Sequence, residues 1–348
     1  MKYTSTRDAT QVYTFEEALF SGYAPDGGLF VPIQLPDFFS SVSKNALMKE
    51  WASLGYQDLA TEILHPFIGQ DEISKQHLGN LLERALSGFD VPDDNKVPVI
   101  PLTQDDGKSI DCYVAELFHG PTYCFKDLGM RATIFLMGHF ASKSNNEKPR
   151  KIVLTAATTG DTGPAAVQAV QDLNSSSLGI VVHYPEGQIS DFQRQQMTTV
   201  QSERVAIVSF DGGGDDMDKP IKNIMMQKDD GEEEILVCGV NSYNIGRPLM
   251  QMVHFVWTYL RVVEDIEKRT QQRIDHENFE LDIVIPTGAM GNIAGCVSKE
   301  EVPKQDNSHN LSIVCANSCI LLRLCILLRF SVHGEKVRSS FWQSLCRS

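Results

Sequence analysis

The chain has 348 residues, 42% of them apolar, and a formal charge of −14 at pH 7. That length supports a large core arranged as two subdomains, and the acidic balance argues against nucleic acid or an anionic membrane as partners. Eight cysteines without paired spacing point to free thiols in a reducing compartment rather than to a disulfide framework or a zinc site.

In chain order, residues 1–95 read as mostly helical with short strands, and the stretches 47–64 and 74–86 carry helical apolar spacing. The turn-like run Val91-Pro92-Asp93-Asp94-Asn95-Lys96 marks a domain boundary. Beyond it, strands are predicted over 112–115, 151–156, 179–183, 205–210, 235–238, 281–285 and 311–315, alternating with helices. The alternation predicts a parallel sheet covered by helices, with the site in the loops at the strand carboxyl ends. The acidic glycine run over 211–218 reads as a solvated loop and helix start, because its carboxylates lack a fixed ligand pattern. No internal repeat or low-complexity linker is present.

Three segments carry chemistry. The first is Glu116-Leu117-Phe118-His119-Gly120-Pro121-Thr122-Tyr123-Cys124-Phe125-Lys126-Asp127-Leu128-Gly129. Gly and Pro turn the chain tightly before Lys126, and a helix poor in polar residues is predicted over 130–140. Apolar and aromatic neighbours favour a free amine able to attack an aldehyde. A lysine at a helix start with its head in water is the other reading, and this segment alone leaves both open. Cys124 reads as a packing residue rather than a nucleophile.

The second segment is Leu154-Thr155-Ala156-Ala157-Thr158-Thr159-Gly160-Asp161-Thr162-Gly163, a β-branched strand entering a hydroxyl-rich loop before a helix that opens near Pro164. Hydroxyls and helix-start amides suit a carboxylate or phosphate, and an ordinary capped strand–loop–helix has the same appearance. In the third, Leu281-Asp282-Ile283-Val284-Ile285-Pro286-Thr287-Gly288-Ala289-Met290-Gly291-Asn292, a buried strand again meets a glycine loop suited to a phosphate. It lacks the Gly-Lys-Ser/Thr of a Walker A loop and the spacing of a dinucleotide fingerprint. An aldehyde-reactive lysine, a hydroxyl loop and a phosphate loop in one α/β chain together suggest pyridoxal 5'-phosphate.

The motifs, taken together, resemble those of the threonine synthase family, in the branch containing fungal, bacterial and threonine-synthase-like animal proteins. The similarity begins at Tyr3-Thr4-Ser5-Thr6-Arg7 and runs through Phe15-Glu16-Glu17-Ala18-Leu19-Phe20-Ser21-Gly22 and Ala24-Pro25-Asp26-Gly27-Gly28-Leu29-Phe30-Val31-Pro32. Phe118-His119-Gly120-Pro121-Thr122 with Phe125-Lys126-Asp127 resembles the cofactor-lysine motif, Gly160-Asp161-Thr162-Gly163 the substrate-side loop, and Pro286-Thr287-Gly288 with Gly291 the phosphate loop. The resemblance covers about the first 315 residues. It implies a tryptophan synthase β-like (fold type II) α/β enzyme. The division is an amino-terminal domain over 1–95, a pyridoxal-phosphate-dependent catalytic domain over 96–315, incomplete by comparison with the family, and a divergent tail over 316–348.

The implied reaction converts O-phospho-L-homoserine and water to L-threonine and phosphate by γ-elimination and β-hydration. In it Lys126 holds the cofactor and then acts as general base. Gly288, Ala289, Met290, Gly291 and Asn292 bind the cofactor phosphate, and Asp161 lies at the cofactor. Thr158, Thr159 and Thr162 face the substrate with Asp161, while Asn241, Ser242 and Asn244 line its other side. Arg247 is a candidate for the departing phosphate, since a guanidinium fork suits phosphate oxygens; a surface ion pair is its alternative. The resemblance further implies a cytoplasmic monomer or homodimer without a cleaved leader, because family-like sequence starts at Tyr3.

Departures from the family pattern bear on activity. Thr159 stands where a serine is usual, Ala289-Met290 where Asn-Phe is usual, and Glu186 where a lysine is often found. Residues 316–348 carry a formal +4, against −18 for residues 1–315, and replace the rest of the cofactor domain, including the group that meets the pyridine nitrogen. The run Ile320-Leu321-Leu322-Arg323-Leu324-Cys325-Ile326-Leu327-Leu328-Arg329-Phe330 is too short and too interrupted to span a membrane; an amphipathic surface helix is one reading of it, and a frameshifted, alternatively spliced or mispredicted carboxyl end is the favoured one. A sheet ending at Cys315 would leave apolar area uncovered, so weak activity and marginal solubility are expected of the chain as written. Two alternatives stay open: a phospholyase giving a 2-oxo acid, ammonia and phosphate, and a catalytically silent form acting as a binding protein.

Overall fold

A four-stranded parallel sheet and a five-stranded mixed sheet, with helices packed against them, form the frame of the computed structural model, which describes residues 1–104, 107, 109–143, 150–226, 235–286, 291–296, 313–316 and 325–331. The chain opens with β1 (Tyr3–Ser5), paired antiparallel to β2 (Phe30–Pro32), around α1 (Phe15–Ser21). Thr14 and Glu17 cap α1 reciprocally, each side chain taking the other's backbone N–H. The helical spacing over 47–64 resolves into two helices, α2 (Lys44–Ala52) and α3 (Tyr56–Ile68), with α4 (Lys75–Ala85) following. Gly55 divides the first two: it occupies the extended N-cap position of α3, and glycine is a poor residue for continuing a helix.

The predicted alternation is present, with most strands a residue or more longer than the sequence pattern marks. β3 (Val99–Thr103) and β4 (Ser109–Glu116) form an antiparallel pair; α5 (Lys126–Ser142) follows and is buried on nearly every side. Then come β5 (Lys151–Ala157), α6 (Thr162–Leu173), β6 (Leu178–Pro185), α7 (Asp191–Thr198) and β7 (Val205–Phe210). A 3-10 turn over Gly214–Met217 leads into α8 (Asp218–Met226) and β8 (Ile235–Gly239). Among the described residues no group of histidine, cysteine or acidic side chains could hold a metal. The sheet order is β7-β6-β5-β8, all parallel. The chain builds outward from β5 on one side and returns with β8 on the other, so the order reverses beside β5. Loops at the carboxyl ends of strands part at such a reversal and leave a crevice.

α9 (Gly246–Thr270), β9 (Glu280–Pro286), α10 (Gly291–Cys296), β10 (Ile313–Ala316) and β11 (Cys325–Ser331) complete the described elements. The second sheet, ordered β10-β9-β11-β4-β3, joins one parallel pair to three antiparallel ones. Here the structure departs from two expectations. Residues 325–331 of the tail enter the sheet as β11, antiparallel to both β9 and β4, with Leu327 opposite Val284 and Val114, and are not part of a surface helix. The sheet therefore does not stop at Cys315. A short continuous apolar run suits a strand with neighbours on both sides, which helical spacing alone does not distinguish. No helix among the described residues is long and apolar enough to cross a membrane.

Buried polar groups join the amino-terminal helices to the sheets. Arg131 on α5, 1% exposed, donates to Ala85 O (2.5 Å) and Ser87 O (3.2 Å) at the end of α4 and pairs with Asp172 on α6. A cation at a helix carboxyl end also meets the negative end of its dipole. Trp257 on α9 donates to Val97 O at 2.7 Å and packs its ring against Tyr56. One face of α9 buries Arg247, Gln251, His254 and Thr258. His254 is fully enclosed, and neither ring nitrogen has a hydrogen-bond partner among the described residues. Burial lowers its pKa from 6.5 to about 3. Because the folded value lies below the unfolded one, the neutral imidazole contributes stability above pH 6.5 that is lost as the pH falls towards 3. The thermal midpoint is expected to fall across that window, and His254→Leu to flatten the fall; parallel pH profiles for the two proteins would contradict this.

Candidate active site

Lys126 is the first residue of α5, and a buried carboxylate shapes the turn that delivers it. Asp127, 0% exposed, accepts from Thr122 N and Thr122 Oγ1, both at 2.8 Å. Burial raises the Asp127 pKa, and the two Thr122 bonds act against that rise. Tyr123 N donates to Gly120 O at 2.9 Å, with Tyr123 at φ 59. A Cβ on Gly120 would stand 2.4 Å from Asp127 Oδ2, so only glycine lets the turn close on the carboxylate. The Lys126 amine then lies 4.5 Å from the Phe125 ring centroid and 3.5 Å from Asp161 Oδ2, with the two side chains 22% and 25% exposed. It is partly sheltered rather than directed freely into water. Burial pushes the neighbouring Cys124 thiol up to about 12, so it stays protonated and packs.

The loop after β5 supplies Asp161 and uses its other polar groups unevenly. Thr158 is buried; its hydroxyl accepts from Gly160 N and Gly163 N (both 3.1 Å) and donates to Gly160 O (2.7 Å). That hydroxyl shapes the loop and is not directed at a ligand. The hydroxyls of Thr159, which is exposed, and Thr162, which is half-buried, carry no hydrogen bond among the described residues. Asp161 stands at the N-cap of α6 without a side-chain capping bond; its carboxylate instead meets Lys126 and, at 2.5 Å, Gln193 Nε2.

Across the crevice, the loop after β8 is tied to β5. Asn241 accepts from Ala157 N (3.0 Å) and donates to Ala157 O (2.7 Å), continuing the strand pairing with a side chain. Asn244, 0% exposed, donates to Leu19 O (2.7 Å) and Gly239 O (2.9 Å) and accepts from Gly246 N (3.0 Å). Ser242 packs against Gly291, where a Cβ would approach within 2.4 Å. Arg247 is 2% exposed and donates to Val240 O at 2.9 Å; its Nε has no partner among the described residues. Burial lowers its pKa to about 10. The surface ion pair is thus not its environment: the guanidinium lies beneath the loop. Asn292, 5% exposed, leaves its Oδ1 without a partner among the described residues, while Gly288, Ala289 and Met290 lie outside them.

The structure therefore brings Lys126 and Asp161 together and links their loops through Ala157–Asn241 and Ser242–Gly291 to the start of α10. Sequence reasoning missed Gln193. Its only local signal is Ser190, which caps α7 by accepting from Gln193 N. Glu186 is exposed and its backbone N–H is held by Phe210 O. A groove of about 470 Å³ between α4, α5 and α6, lined in part by His77, Arg84 and His139, includes none of the residues named for the site.

Known proteins similar to this chain share its fold. A family model described as "Threonine synthase N terminus" matches residues 2–86. "Threonine synthase-like 2" of Mus musculus is 36% identical over 301 residues, 86% of this chain and 57% of that protein. Threonine synthase of Saccharomyces cerevisiae is 33% identical over 305 residues, 86% of this chain and 55% of its own. The crystal structure of threonine synthase from yeast superposes with a TM-score of 0.68 at 30% identity, covering 85% of this chain and 54% of that one. Threonine synthase from Brucella melitensis, solved with PLP bound, gives 0.64 at 26% identity over 85% and 57% of the two chains. The chain thus spans little more than half the length of these relatives.

Asn244→Ala is expected to destabilise the fold by roughly 3 kcal/mol, because it strands two carbonyls and an N–H away from water. Thr159→Ala, which removes an exposed hydroxyl, is expected to leave stability near that of the native chain. Denaturant midpoints measure both, and equal effects would contradict the geometry.

Proposed function

Because the chain belongs to the threonine synthase family over the 86% of its length that these relatives match, we propose that it binds pyridoxal 5'-phosphate and converts O-phospho-L-homoserine and water to L-threonine and phosphate. The observation that carries this reading is the sheltered Lys126 amine, 3.5 Å from Asp161, at the crevice where the strand order reverses. The residues present fit the cofactor. An amine faces an adjacent carboxylate, and Gly291 offers backbone where a side chain would strike Ser242. When bound, the cofactor supplies an electron sink for charge developing on the substrate carbons.

The chain's own residues do the rest. Lys126 would hold the cofactor through its amine, and the same amine, when free, is the group placed to take the α-proton. Asp161 keeps a negative charge beside that amine as it gains the proton. Gly288, Ala289, Met290, Gly291 and Asn292 hold the cofactor phosphate. Thr159 and Thr162 meet the substrate carboxylate through their unengaged hydroxyls, on a loop whose path Thr158 fixes. Asn241 and Asn244 set the opposite wall by holding backbone, Ser242 lines it, and Arg247 places a fixed positive charge beneath the wall for the departing phosphate.

Borohydride reduction of the pyridoxal-phosphate-treated protein, followed by peptide mapping, is expected to label Lys126, and Lys126→Ala to remove the label. Label on another lysine, or bound cofactor without label, overturns the assignment. Incubation with O-phosphohomoserine separates the outcomes: phosphate with threonine supports the proposal. Phosphate with a 2-oxo acid and ammonia assigns a phospholyase, and labelled protein without turnover assigns a silent binding form.

Gly291→Asp is expected to weaken pyridoxal phosphate binding at least about tenfold, since a carboxylate there repels the phosphate and blocks close backbone approach. Cys124→Ala is expected to leave binding unchanged. Superimposable cofactor titrations for the two variants would refute the phosphate cradle.

A further inference from the structure

α7 reaches both halves of the site. Gln196 Nε2 donates to Thr122 O at 3.3 Å, on the turn that presents Lys126. Met197, 0% exposed, packs its sulfur where a Cβ on Gly163 would approach within 2.3 Å. Between these contacts and the start of the helix, Gln193 donates through Nε2 to Asp161 Oδ1 at 2.5 Å. The far end of the same carboxamide accepts from Ser190 Oγ at 2.8 Å. Gly160 leaves room for this approach, since a Cβ there would lie 3.2 Å from Gln193 Nε2.

The hydrogen-bond inventory fixes which way this amide points. An ionised carboxylate only accepts, so the amide nitrogen must face Asp161, and the oxygen is left for the hydroxyl of Ser190, which can donate. With Oδ1 engaged by Gln193, Oδ2 is the oxygen turned to Lys126 at 3.5 Å. Among the described residues these two contacts are all that holds the Asp161 side chain. A neutral donor suits this place. It orients the carboxylate without adding a positive charge that would compete with Lys126 for it.

We propose that Gln193 is a positioning residue for the reaction: it holds Asp161 so that one oxygen faces the Lys126 amine, and α7 carries this setting as a strap anchored by Gln196 and Met197. The role rests on the reading of Lys126 as the cofactor lysine. Lys126 must alternate between free amine and ammonium when it takes and returns a proton, and the orientation of the nearest carboxylate biases that alternation.

The test uses the cofactor-free full chain, so that it does not depend on turnover. The rate of Lys126 acylation by acetic anhydride is followed against pH by peptide mass spectrometry, with thermal midpoints recorded for every variant. Gln193→Ala releases Asp161, weakens the pairing with the ammonium, and is expected to move the profile to lower pH. At a fixed pH on its rising limb, acylation is then roughly threefold faster, the equivalent of one ordinary hydrogen bond. The isosteric Gln193→Glu adds negative charge beside Asp161 and is expected to move the profile to higher pH. Gln195→Ala, an exposed change on the same helix, is expected to leave it in place. A merely structural role for Gln193 would not move the two variants in opposite directions. Profiles that coincide with the native chain, or that move together, overturn the proposal. Opposite movements without borohydride label on Lys126 would uphold the positioning of Asp161 and sink the cofactor reading instead.

Discussion

A carboxylate closed off from water sets the position of everything in the site. Asp127 is fully buried, and without the two donors on Thr122 its ionised form would carry a desolvation cost of several kcal/mol. Satisfying it requires the chain to double back between Gly120 and Lys126, with a left-handed residue at Tyr123 and no side chain at Gly120. Those conditions leave little freedom at the next residue. Lys126 begins α5 with its amine against the Phe125 ring and within reach of the loop after β5. Lys126 is thus located by a neighbouring side chain that is itself sealed from solvent.

The same economy governs the facing loops. The strand order reverses beside β5, so the loops after β5 and β8 part at their carboxyl ends. Holding them at a fixed separation falls to polar side chains that bind backbone: Thr158 within its own loop, Asn241 across to Ala157, and Asn244 to Leu19, Gly239 and Gly246. Their hydrogen-bonding capacity is used in the frame. What stands open to a ligand is a smaller set, the Lys126 amine, the Asp161 carboxylate and the hydroxyls of Thr159 and Thr162. A loop rich in hydroxyls and amides therefore contains two populations, and burial separates them.

This division explains what the sequence made legible. Strand–helix alternation after residue 96, the tight turn before Lys126 and the small loop after β5 follow from periodicity and from the demands of glycine and proline, which act locally. β3 was not legible, because Pro98 and Pro101 argue against a strand; the structure uses it at the sheet edge, where a missing N–H is tolerated. The division of 47–64 rests on one glycine whose spacing cost looks no larger than that of Gly79, which α4 accommodates. Arg247 and Asn244 look like ligand-facing residues in one dimension, and only packing from α1, α5 and β8 shows them enclosed. Nothing local to Gln193 beyond the Ser190 cap points to the site, since its partner lies 32 residues away and the contact exists only when α7 folds over the crevice. The apolar run over 320–330 suggested a surface helix, and the pairing of residues 325–331 with β9 and β4 makes that part a strand.

The Arg131 clamp bears on how this architecture can be divided. Two of its acceptors are carbonyls at the end of α4, and its counter-ion sits on α6. Separating the amino-terminal helices from the sheets would leave a buried guanidinium with a single partner and expose the α5 face that α4 covers. The end of α4 must keep its position on α5 for Arg131 to keep its partners, whatever side chains the helix carries.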